Sequence, residues 1–474
     1  MTPFLAGIKA SVSGIRGIVG ESLTPPVVMR AVMAYAQWLA ASGAVGKPQV
    51  AIGRDTRSSG ACIQGLAASL LLACGIDVID LGVVPTPTLL LYVRRKALDG
   101  GILITASHNP IQWNALKLVK RGGQFLNEED FASVARNMAD ETPLYKPAHL
   151  LGKITSDDTA CALHVETFAR TLPLDAIRLR KFRVAIDPGN GAGAVMDALF
   201  LNRLGCSIHT VHGAITGDFE RPPEPKPEAL GALSALVVRE KCAVGFAQDP
   251  DADRLVLVDE NGTALSEEMT LALSAWAYYL PSRSKKQEGA SGDIVVNVST
   301  SRLAMDVARH FGKVCHLAKV GEANVLAAMT RHNAGFGGEG NGGVIYPLIN
   351  PCRDSFAGMY CILKLMTYLR EPLSRIVERL HTDIAPRYTM LKEKTEFAGD
   401  LERAYAGLRK GCAARGTVWT ENLLDGFRMD FADGWLHIRE SNTEPAVRII
   451  AEANDAQTAR DLMAMMRAAL ADGV

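Results

Sequence analysis

The sequence predicts an α/β protein with three similar βαβ-type mixed-sheet domains and a smaller C-terminal α+β domain, arranged around a central cleft. Two observations support this prediction. Short β-branched strands alternate with helical stretches, as is typical of parallel βαβ units, and the pattern occurs three times before residue 350. The three repeats open with the stretches QVAIGRDTRSSG (49–60), RVAIDPGNGAG (183–193) and DIVVNVSTSRL (293–303).

Each repeat continues with a second and a third strand. The second strands are predicted at 76–82, 206–213 and 313–321, and the third strands end in the loops TASHNP (105–110), QDPDADR (248–254) and GGEGNGG (337–343). Ligands in open α/β sheets bind at the carboxyl ends of the strands. We therefore expect the three loops to meet in one cleft.

The C-terminal part of the chain has a different pattern. Strands are predicted at 426–431, 434–441 and 446–453, followed by a helix at 456–470, which indicates a smaller α+β domain. The predicted domains are 1–150, 151–255, 256–375 and 376–474.

The composition limits the classes of function. The 51 basic residues balance the 51 acidic ones, so no net positive field would attract nucleic acid or an anionic membrane. No apolar run approaches the roughly 20 residues that span a bilayer, and the N-terminal stretch does not have the features of a signal peptide. The nine cysteines are scattered, which fits a reducing compartment. We expect a cytoplasmic protein without nucleic-acid or membrane partners.

The loop DPDADR points to a metal site. Asp249, Asp251 and Asp253 alternate, and three carboxylates this close would repel one another and raise their pKa values unless a cation neutralised them. Mg²⁺ is the cation that best fits such a site. An EF-hand is disfavoured because Arg254 occupies the position that needs glycine and a strand follows. A solvated acidic turn remains the alternative, but the adjacent Arg254 favours phosphate chemistry.

The loop TASHNP displays the hydroxyl of Ser107 at the end of a buried strand, where it would accept or carry a phosphoryl group. Lys117 follows and would act as a proton carrier if its pKa were lowered. The sequence has neither a Ser-His-Asp order nor a G-x-S-x-G elbow, which argues against an acyl hydrolase. A turn with a helix cap is an equally open interpretation of this loop alone.

The loop GGEGNGG combines the carboxylate of Glu339 and the amide of Asn341 with glycines that allow close approach to a ligand. It is not a P-loop, because no Gly-Lys-Ser/Thr follows. A carboxylate and an amide in one loop are suited to gripping vicinal hydroxyls. The alternative is a mobile surface turn.

The stretch RESNTEP (439–445) is a candidate phosphate site. Hydroxyls, an amide and guanidinium groups are the donors that a phosphate monoester requires. A β-turn rich in Asn, Ser and Thr is the alternative. The candidate donors are Arg439, Ser441, Asn442 and Thr443, with Arg448 shortly after them.

These four loops, with SGIRG (13–17) and GRDTR (53–57), resemble the α-D-phosphohexomutases over essentially the whole chain. The resemblance implies four domains around a cleft and a phosphoserine mechanism. It implies that Arg16 and Arg57 contact anions, that Ser107 carries the phosphoryl group beside His108 and Asn109, and that Arg254 neutralises charge. It also implies that Asp249, Asp251, Asp253 and the Ser107 phosphate hold Mg²⁺ and that Glu339 and Asn341 bind the sugar. The residues implied for the distal phosphate are Arg439, Ser441, Asn442 and Thr443.

Some residues depart from the usual pattern of the family. Ala10 and Val12 replace an aromatic and a hydroxyl residue, and Asn114 is followed by Ala-Leu where Asn-Gly is usual. Asn341 stands where glucose and mannose enzymes usually have serine. The stretches GEGNGG and PPEP (222–225) are most similar to phosphoglucosamine mutases.

The resemblance implies interconversion of glucosamine 6-phosphate and glucosamine 1-phosphate through a 1,6-bisphosphate. The expected cofactors are Mg²⁺ and a hexose or hexosamine 1,6-bisphosphate as activator, and the expected partner is a small hexosamine or hexose phosphate bound by a monomer or homodimer. A mutase of glucose or mannose phosphates is the main alternative. A one-way phosphatase or kinase would use the same phosphate-binding residues and also remains open. A non-catalytic sugar-phosphate sensor is disfavoured, because Ser107 and all three aspartates are present.

Overall fold

The structure, a computed structural model, describes residues 8–12, 14–43, 46–139, 144–281, 292–397, 399–414, 416–440 and 446–472. These residues form four β-sheets, each packed against helices.

The first sheet is mixed. Its strands are β1 (Lys9–Ser11), β2 (Gly14–Ile18), β3 (Gln49–Arg54), β4 (Asp77–Val83), β5 (Gly100–Ile104), β6 (Trp113–Lys120), β7 (Gln124–Phe125) and β8 (Ile154–Ser156). Its helices are α1 (Pro25–Ala41), α2 (Gly60–Ala73), α3 (Thr86–Arg95) and α4 (Glu128–Asn137). The strand order is β1-β2-β6-β5-β3-β4-β8, with β7 beside β6. All residues of β5 are buried, as expected for a central strand covered on both faces.

The second sheet has the order β10-β9-β11-β12. Its strands are β9 (Arg183–Asp187), β10 (Ser207–Thr210), β11 (Val244–Gln248) and β12 (Leu255–Val258), and its helices are α5 (Ala160–Thr171), α6 (Asp175–Arg180), α7 (Asp197–Arg203) and α8 (Gly231–Arg239). β12 pairs with β11, so this sheet extends past the predicted boundary at 255. β8 pairs with β4, so the first sheet likewise extends past residue 150.

The third sheet has the order β14-β13-β15-β16-β17. Its strands are β13 (Ile294–Asn297), β14 (Cys315–Ala318), β15 (Phe336–Glu339), β16 (Gly343–Tyr346) and β17 (Asn350–Arg353). Its helices are α9 (Glu267–Tyr279), α10 (Arg302–His310), α11 (Glu322–Arg331), α12 (Ser355–Leu369) and α13 (Leu373–Arg379). α9 is buried over nearly its whole length, and its apolar residues join the cores of the second and third domains.

The fourth sheet is antiparallel, with the order β18-β22-β21-β20-β19, and has a core of its own. Its strands are β18 (Thr389–Thr395), β19 (Thr420–Asn422), β20 (Phe427–Asp430), β21 (Gly434–Glu440) and β22 (Val447–Ala453), and its helices are α14 (Leu401–Ala414) and α15 (Ala456–Asp472).

The predicted repeat and fold class are confirmed. In each of the first three sheets the opening strand lies between the second and third strands of its repeat, and these pairs are parallel. An antiparallel strand then follows the third strand, namely β6, β12 or β16. Within the described residues, no helix is long and apolar enough to cross a membrane.

Candidate active site

Ser107 follows β5 in a strained turn. Its φ of +50° lies in the left-handed region, which non-glycine residues seldom adopt. Its backbone N–H donates to Thr105 Oγ1 at 2.9 Å, and the Thr105 hydroxyl donates to Asp55 Oδ2 at 2.5 Å. The turn directs the Ser107 hydroxyl to Asp249 Oδ2 at 2.8 Å. The first and second repeats therefore meet at this hydroxyl.

Arg57 lies beneath this turn and bonds to its backbone. The side chain is fully buried, and its Nε donates to Asp55 Oδ2 at 3.0 Å. The other guanidinium nitrogens donate to the carbonyl oxygens of Ser107, Asn109, Pro110 and Trp113. A guanidinium has five N–H donors, and all of them are used here. The structure therefore places Arg57 under the loop that presents Ser107, with its donors used within the protein, and its predicted contact with an anion stays a prediction.

The three aspartates after β11 converge. Oxygens of Asp249, Asp251 and Asp253 all lie within 4.8 Å of one another, and all three side chains are fully buried. Between Asp251 and Asp253, Ala252 has φ +57°, in the left-handed region that non-glycine residues seldom adopt. Asp249 Oδ1 accepts hydrogen bonds from the backbone N–H groups of Asp253 and Arg254, each at 3.1 Å.

Two of the three aspartates, Asp251 and Asp253, each have one carboxylate oxygen that accepts hydrogen bonds and one that has no partner among the described residues. Asp251 Oδ2 accepts from Lys117 Nζ and Thr86 Oγ1, each at 2.6 Å, and Asp253 Oδ2 accepts from Arg353 at 2.5 Å. Asp251 Oδ1 and Asp253 Oδ1 are buried and have no hydrogen-bond partner among the described residues. Carboxylate oxygens in this arrangement suit a hard divalent cation, with the outer partners fixing the ligands. The donor set thus fits Mg²⁺.

The electrostatics of the cluster agree with this fit. Burial, together with the charges of Asp253 and Asp251, raises the pKa of Asp249 well above its usual value. Burial also acts to raise the pKa of Asp251, but Lys117 and Thr86 outweigh it and hold that pKa well below its usual value. A divalent cation would relieve the repulsion among the carboxylates.

Arg254, His108 and Arg16 lie beside the loop that holds Ser107, and Arg254 Nε is 3.9 Å from Asp249 Oδ2, the oxygen that accepts from the Ser107 hydroxyl. Arg254 Nη2 donates to His108 Nδ1 at 3.0 Å, so the proton of the neutral imidazole is on Nε2. Partial burial and the charges of Arg254, Arg16 and Arg448 lower the pKa of His108 well below its usual value. Burial lowers the pKa of Arg16 to about 10, so Arg16 stays cationic at neutral pH, and it donates to Asn109 Oδ1. This corner of the cleft offers cations and a neutral donor to an anion.

Glu224, from the PPEP stretch, also contacts Arg254. Its Oε1 lies 3.3 Å from Arg254 Nη1. This contact gives the stretch a position beside the charged cluster, which the sequence did not indicate.

The sugar loop, residues 337–343, places Glu339 at the end of β15. Its Oε1 accepts from Asn297 Nδ2 and from the Gly321 N–H, both at 2.8 Å, and its Oε2 accepts from Arg353 at 2.6 Å. These donors outweigh burial and hold the pKa of Glu339 below its usual value. Asn341 is half-buried beside it, and its Oδ1 accepts from the Gly343 N–H at 3.2 Å.

Arg353 is a central residue that the sequence analysis missed. It donates both to Asp253 of the metal loop and to Glu339 of the sugar loop, and its Nε lies 3.3 Å from Glu322 Oε2. These carboxylates raise the pKa of Arg353 well above its usual value, although burial opposes them. Arg353 is the last residue of β17 and belongs to none of the sequence motifs described above. Its contacts with carboxylates from distant parts of the chain could therefore be found only from the fold.

The C-terminal domain contributes Arg439 and Arg448, which are register partners on β21 and β22. Neither Nε has a hydrogen-bond partner among the residues that the structure describes. Arg448 lowers the pKa of His108, and Glu339 acts on the pKa of Arg439, so both guanidinium groups lie close to the cleft. Ser441, Asn442 and Thr443 lie outside the described residues.

Models of all four phosphoglucomutase/phosphomannomutase domains match the chain in order. The models of α/β/α domains I, II and III match residues 7–144, 162–262 and 269–383, and the C-terminal domain model matches 400–469.

Individual relatives agree with this match. A probable phosphoglucosamine mutase from Methanopyrus kandleri is 34% identical over 95% of each chain, and a phosphoglucomutase/phosphomannomutase from Thermococcus kodakarensis is 33% identical over 95% of each chain. A solved phosphoglucomutase/phosphomannomutase family protein from Burkholderia thailandensis has the same fold, with a TM-score of 0.81, 24% identity and 97% of both chains covered. The chain therefore belongs to the phosphoglucomutase/phosphomannomutase family and is an enzyme of the α-D-phosphohexomutase superfamily.

Proposed function

We propose that this enzyme interconverts glucosamine 6-phosphate and glucosamine 1-phosphate through a phosphorylated Ser107. The observation that carries the proposal is the Ser107 hydroxyl, which lies 2.8 Å from Asp249 Oδ2 within a buried three-aspartate cluster. A phosphoryl group on this oxygen would lie between the carboxylate cluster and the cations Arg16 and Arg254.

The reaction has two transfers. In the first, a free sugar hydroxyl attacks the Ser107 phosphate, the bond between phosphorus and Ser107 Oγ breaks, and a 1,6-bisphosphate forms. The bisphosphate then turns end over end, and Ser107 Oγ takes back the other phosphoryl group. Such transfers depend mainly on positioning and on neutralising charge on the phosphoryl oxygens.

Each nearby residue has a defined part in this proposal. Arg254 and Arg16 balance the charge of the phosphoryl oxygens, and His108 donates from Nε2, since Arg254 occupies its Nδ1. Lys117 is our candidate proton carrier, and it donates to Asp251 in the described state. Arg448 approaches the cleft from the C-terminal domain.

Mg²⁺ is the proposed cofactor. Asp249, Asp251 and Asp253 would each supply one oxygen, and the Ser107 phosphate would supply another. Bound there, the ion would stabilise the negative charge that develops during transfer. Removal of divalent ions with a chelator is expected to abolish turnover, and added Mg²⁺ should restore it. Full turnover after complete chelation would contradict the assignment.

The distal phosphate of the substrate is proposed to bind to Arg439, Ser441, Asn442 and Thr443. A guanidinium and hydroxyl donors hold a phosphate monoester through charge-assisted hydrogen bonds. Glu339 and Asn341 would contact the sugar hydroxyls in both orientations of the intermediate. A hexose or hexosamine 1,6-bisphosphate would serve as activator, because it phosphorylates a Ser107 that has lost its phosphoryl group.

Glucosamine phosphate is the preferred substrate in this proposal. It is supported by the GEGNGG and PPEP stretches and by relatives described as probable phosphoglucosamine mutases. The second candidate is a mutase of glucose or mannose phosphates, which the Thermococcus kodakarensis relative's description favours.

A coupled assay with glucosamine, glucose and mannose 6-phosphates tests the substrate. We expect glucosamine 6-phosphate to have a kcat/KM about tenfold to a hundredfold higher than the others, as the loss of one polar contact would give. Equal or greater kcat/KM for glucose or mannose 6-phosphate would overturn the substrate assignment but leave the mutase chemistry intact.

Intact mass spectrometry tests the phosphoserine. The unmodified protein should contain a phosphorylated fraction that is absent from Ser107→Ala, and that variant should lose turnover by several orders of magnitude. Release of inorganic phosphate without isomerisation would instead indicate a phosphatase.

A further inference from the structure

Glu322, the first residue of α11, has a carboxylate oxygen without a partner. Its Oε2 accepts a hydrogen bond from the Arg353 backbone N–H at 3.1 Å and lies 3.3 Å from Arg353 Nε. Its Oε1 is buried and has no hydrogen-bond partner anywhere in the described part of the chain. The residue as a whole is only 7% exposed. One half of the carboxylate is therefore held in place, and the other half is left open.

An open carboxylate oxygen in a buried position is unfavourable for the protein alone. Burial raises the pKa of Glu322 to about 7, and the charge of Arg353 offsets only part of that effect. Buried polar groups in folded proteins nearly always have a partner. A donor group of a bound ligand would supply the partner that Glu322 Oε1 does not have among the described residues.

Glu322 lies directly beside the sugar loop. The guanidinium of Arg353 contacts the carboxylates of both Glu322 and Glu339. The N–H of Gly321, the residue before Glu322, donates to Glu339 Oε1 at 2.8 Å. The two carboxylates therefore lie in the same corner of the site, so a sugar that contacts Glu339 would lie close to Glu322 as well.

Glu339 itself has little capacity left for a cationic group. It already accepts from Asn297, Gly321 and Arg353, and a carboxylate offers about four acceptor positions. One further hydroxyl fills it. Glu322, with a whole oxygen open, is the better partner for a group that carries several donors.

We propose that Glu322 recognises the C2 substituent of the sugar by pairing with the ammonium group of glucosamine phosphate. This inference rests on the proposed mutase function. An ammonium brings a positive charge and several donors, and it would neutralise the buried carboxylate. The C2 hydroxyl of glucose brings one neutral donor, so it would add no positive charge beside Glu322, whose own partner is the Arg353 guanidinium. The preference for the amine thus comes from a residue outside the sugar loop.

The end-over-end turn of the intermediate makes this recognition one-sided. A half turn that exchanges the two phosphates also exchanges the 3- and 4-hydroxyls, and it moves C2 to the place that C5 had occupied. Glu322 therefore meets the ammonium in only one orientation. The equilibrium constant of the reaction fixes the ratio of kcat/KM for glucosamine 6-phosphate to kcat/KM for glucosamine 1-phosphate, so a mutation cannot change that ratio. The one-sided contact is therefore expected to appear as a difference in the binding affinities of the two sugar phosphates.

The first test compares two sugars with Glu322→Gln, which has nearly the same shape and keeps an oxygen for the Arg353 N–H. Its kcat/KM for glucosamine 6-phosphate should fall about tenfold to a hundredfold, as for loss of a charged hydrogen bond. Its kcat/KM for glucose 6-phosphate should change less than about threefold. Equal losses with both sugars would overturn the proposal, because Glu322 would then only support Arg353.

Two variants serve as references. Glu378→Gln removes an exposed carboxylate of the same domain, which pairs with Arg375, and should change neither value. Arg353→Lys should lower both kcat/KM values by a similar factor, because Arg353 serves both sugars. If Glu322→Gln does not fold, Glu322→Asp keeps the charge and should retain a reduced preference for glucosamine; an unchanged preference would overturn the proposal.

The second test measures binding of glucosamine 6-phosphate and glucosamine 1-phosphate by calorimetry in the Ser107→Ala background, where no turnover occurs. Glu322→Gln should weaken one of the two about tenfold or more and leave the other nearly unchanged. Equal weakening of both would contradict the one-sided contact. If the unmodified enzyme turned over neither sugar phosphate, the proposed function would fail and this inference with it. If the enzyme is a mutase but Glu322→Gln leaves the ratio of kcat/KM for glucosamine 6-phosphate and glucose 6-phosphate unchanged, the inference alone would be contradicted.

Discussion

Ser107 owes its position to side chains that are distant in the sequence. Asp55 and Thr105 fix the backbone of the turn, Arg57 holds four carbonyl oxygens around it, and Asp249 receives the hydroxyl. A left-handed φ at a serine costs on the order of 1–3 kcal/mol, and these contacts offset that cost. The sequence motif predicts the serine, while the turn itself depends on partners from three segments.

Arg57→Met is expected to destabilise the protein strongly. Removing one partner of a buried ion pair typically costs about 3–5 kcal/mol, and here four carbonyl oxygens would also lose their donor. We expect a fall of that order in the free energy of unfolding, measured with urea, and a smaller phosphorylated fraction at Ser107. The exposed Arg95→Met serves as control and should change stability by less than about 0.5 kcal/mol. Unchanged stability of Arg57→Met would contradict the structural role.

The strand repeat could be predicted because its signal is local. The β-branched strands and the polar loops that end them are written in consecutive residues, as in β9 and β11. The antiparallel strands β6, β12 and β16 complete each sheet, and the repeat alone does not specify their pairing. Arg353 and Glu322 were missed for a related reason, since their importance comes from neighbours distant in the chain.

Gly340 lies where the sugar loop packs on α9. A Cβ at this position would collide with the carboxylate of Glu268. That carboxylate cannot easily move, because it accepts from Lys392 Nζ at 2.7 Å and from the Ser301 N–H at 3.0 Å. The loop therefore needs a residue without a side chain here.

Gly340→Ala is expected to displace the sugar loop. Overpacking at a tight site typically costs about 1–3 kcal/mol, and the displacement should raise KM for the sugar phosphate. Gly407→Ala provides the control: Gly407 is an exposed residue of α14 whose added Cβ meets nothing, and alanine there should stabilise the helix by about 0.5–1 kcal/mol. Thermal unfolding and steady-state kinetics measure both effects. A Gly340→Ala enzyme with normal KM would show that the loop tolerates the shift.

His437 on β21 makes the contact of the C-terminal domain with the third domain sensitive to acid. Its Nε2–H donates to the Asp425 carbonyl at 2.6 Å, and its Nδ1 accepts from the Ser299 hydroxyl at 3.1 Å. Burial, aided by the charges of Arg439 and Arg428, lowers its pKa to about 4. The neutral imidazole is thus part of the folded arrangement.

Acidification is expected to remove this contribution. The pKa of His437 is about 4 in the folded protein and 6.5 in the unfolded chain, so between these values the folded state binds fewer protons. The stabilising contribution of the neutral imidazole is therefore complete above about pH 6.5 and is lost as pH falls towards 4. Between pH 7 and 4.5 the unmodified protein should lose about 2 kcal/mol more than His437→Gln, whose amide can make both hydrogen bonds without a proton change. Urea unfolding at both pH values measures this. Parallel losses in the two proteins would contradict the assignment.

The four domains form one connected arrangement around the cleft. Thr56 of the first domain donates to the Asn190 carbonyl of the second at 2.6 Å, and Asn350 of the third donates to the Pro87 carbonyl of the first at 2.7 Å. The fourth domain contacts the third through Lys392 with Glu267 and Glu268, and through Arg302 and Arg428. These contacts bring the guanidinium groups of β21 and β22 to the cleft that holds Ser107.

Closure of the fourth domain is expected to depend on the distal phosphate of the ligand. Arg439 has an open Nε within the described residues, and burial lowers its pKa, so an anion that pairs with it should draw the domain towards the cleft. Small-angle scattering with and without a hexose 1,6-bisphosphate should show compaction of the unmodified protein. In Arg439→Ala the compaction should diminish and the affinity for the bisphosphate should fall about tenfold to a hundredfold. Arg460→Ala, on the exposed face of α15, should behave like the unmodified protein. If the unmodified protein does not become more compact with the bisphosphate, the prediction of domain closure is wrong, and the result would argue for a permanently closed cleft.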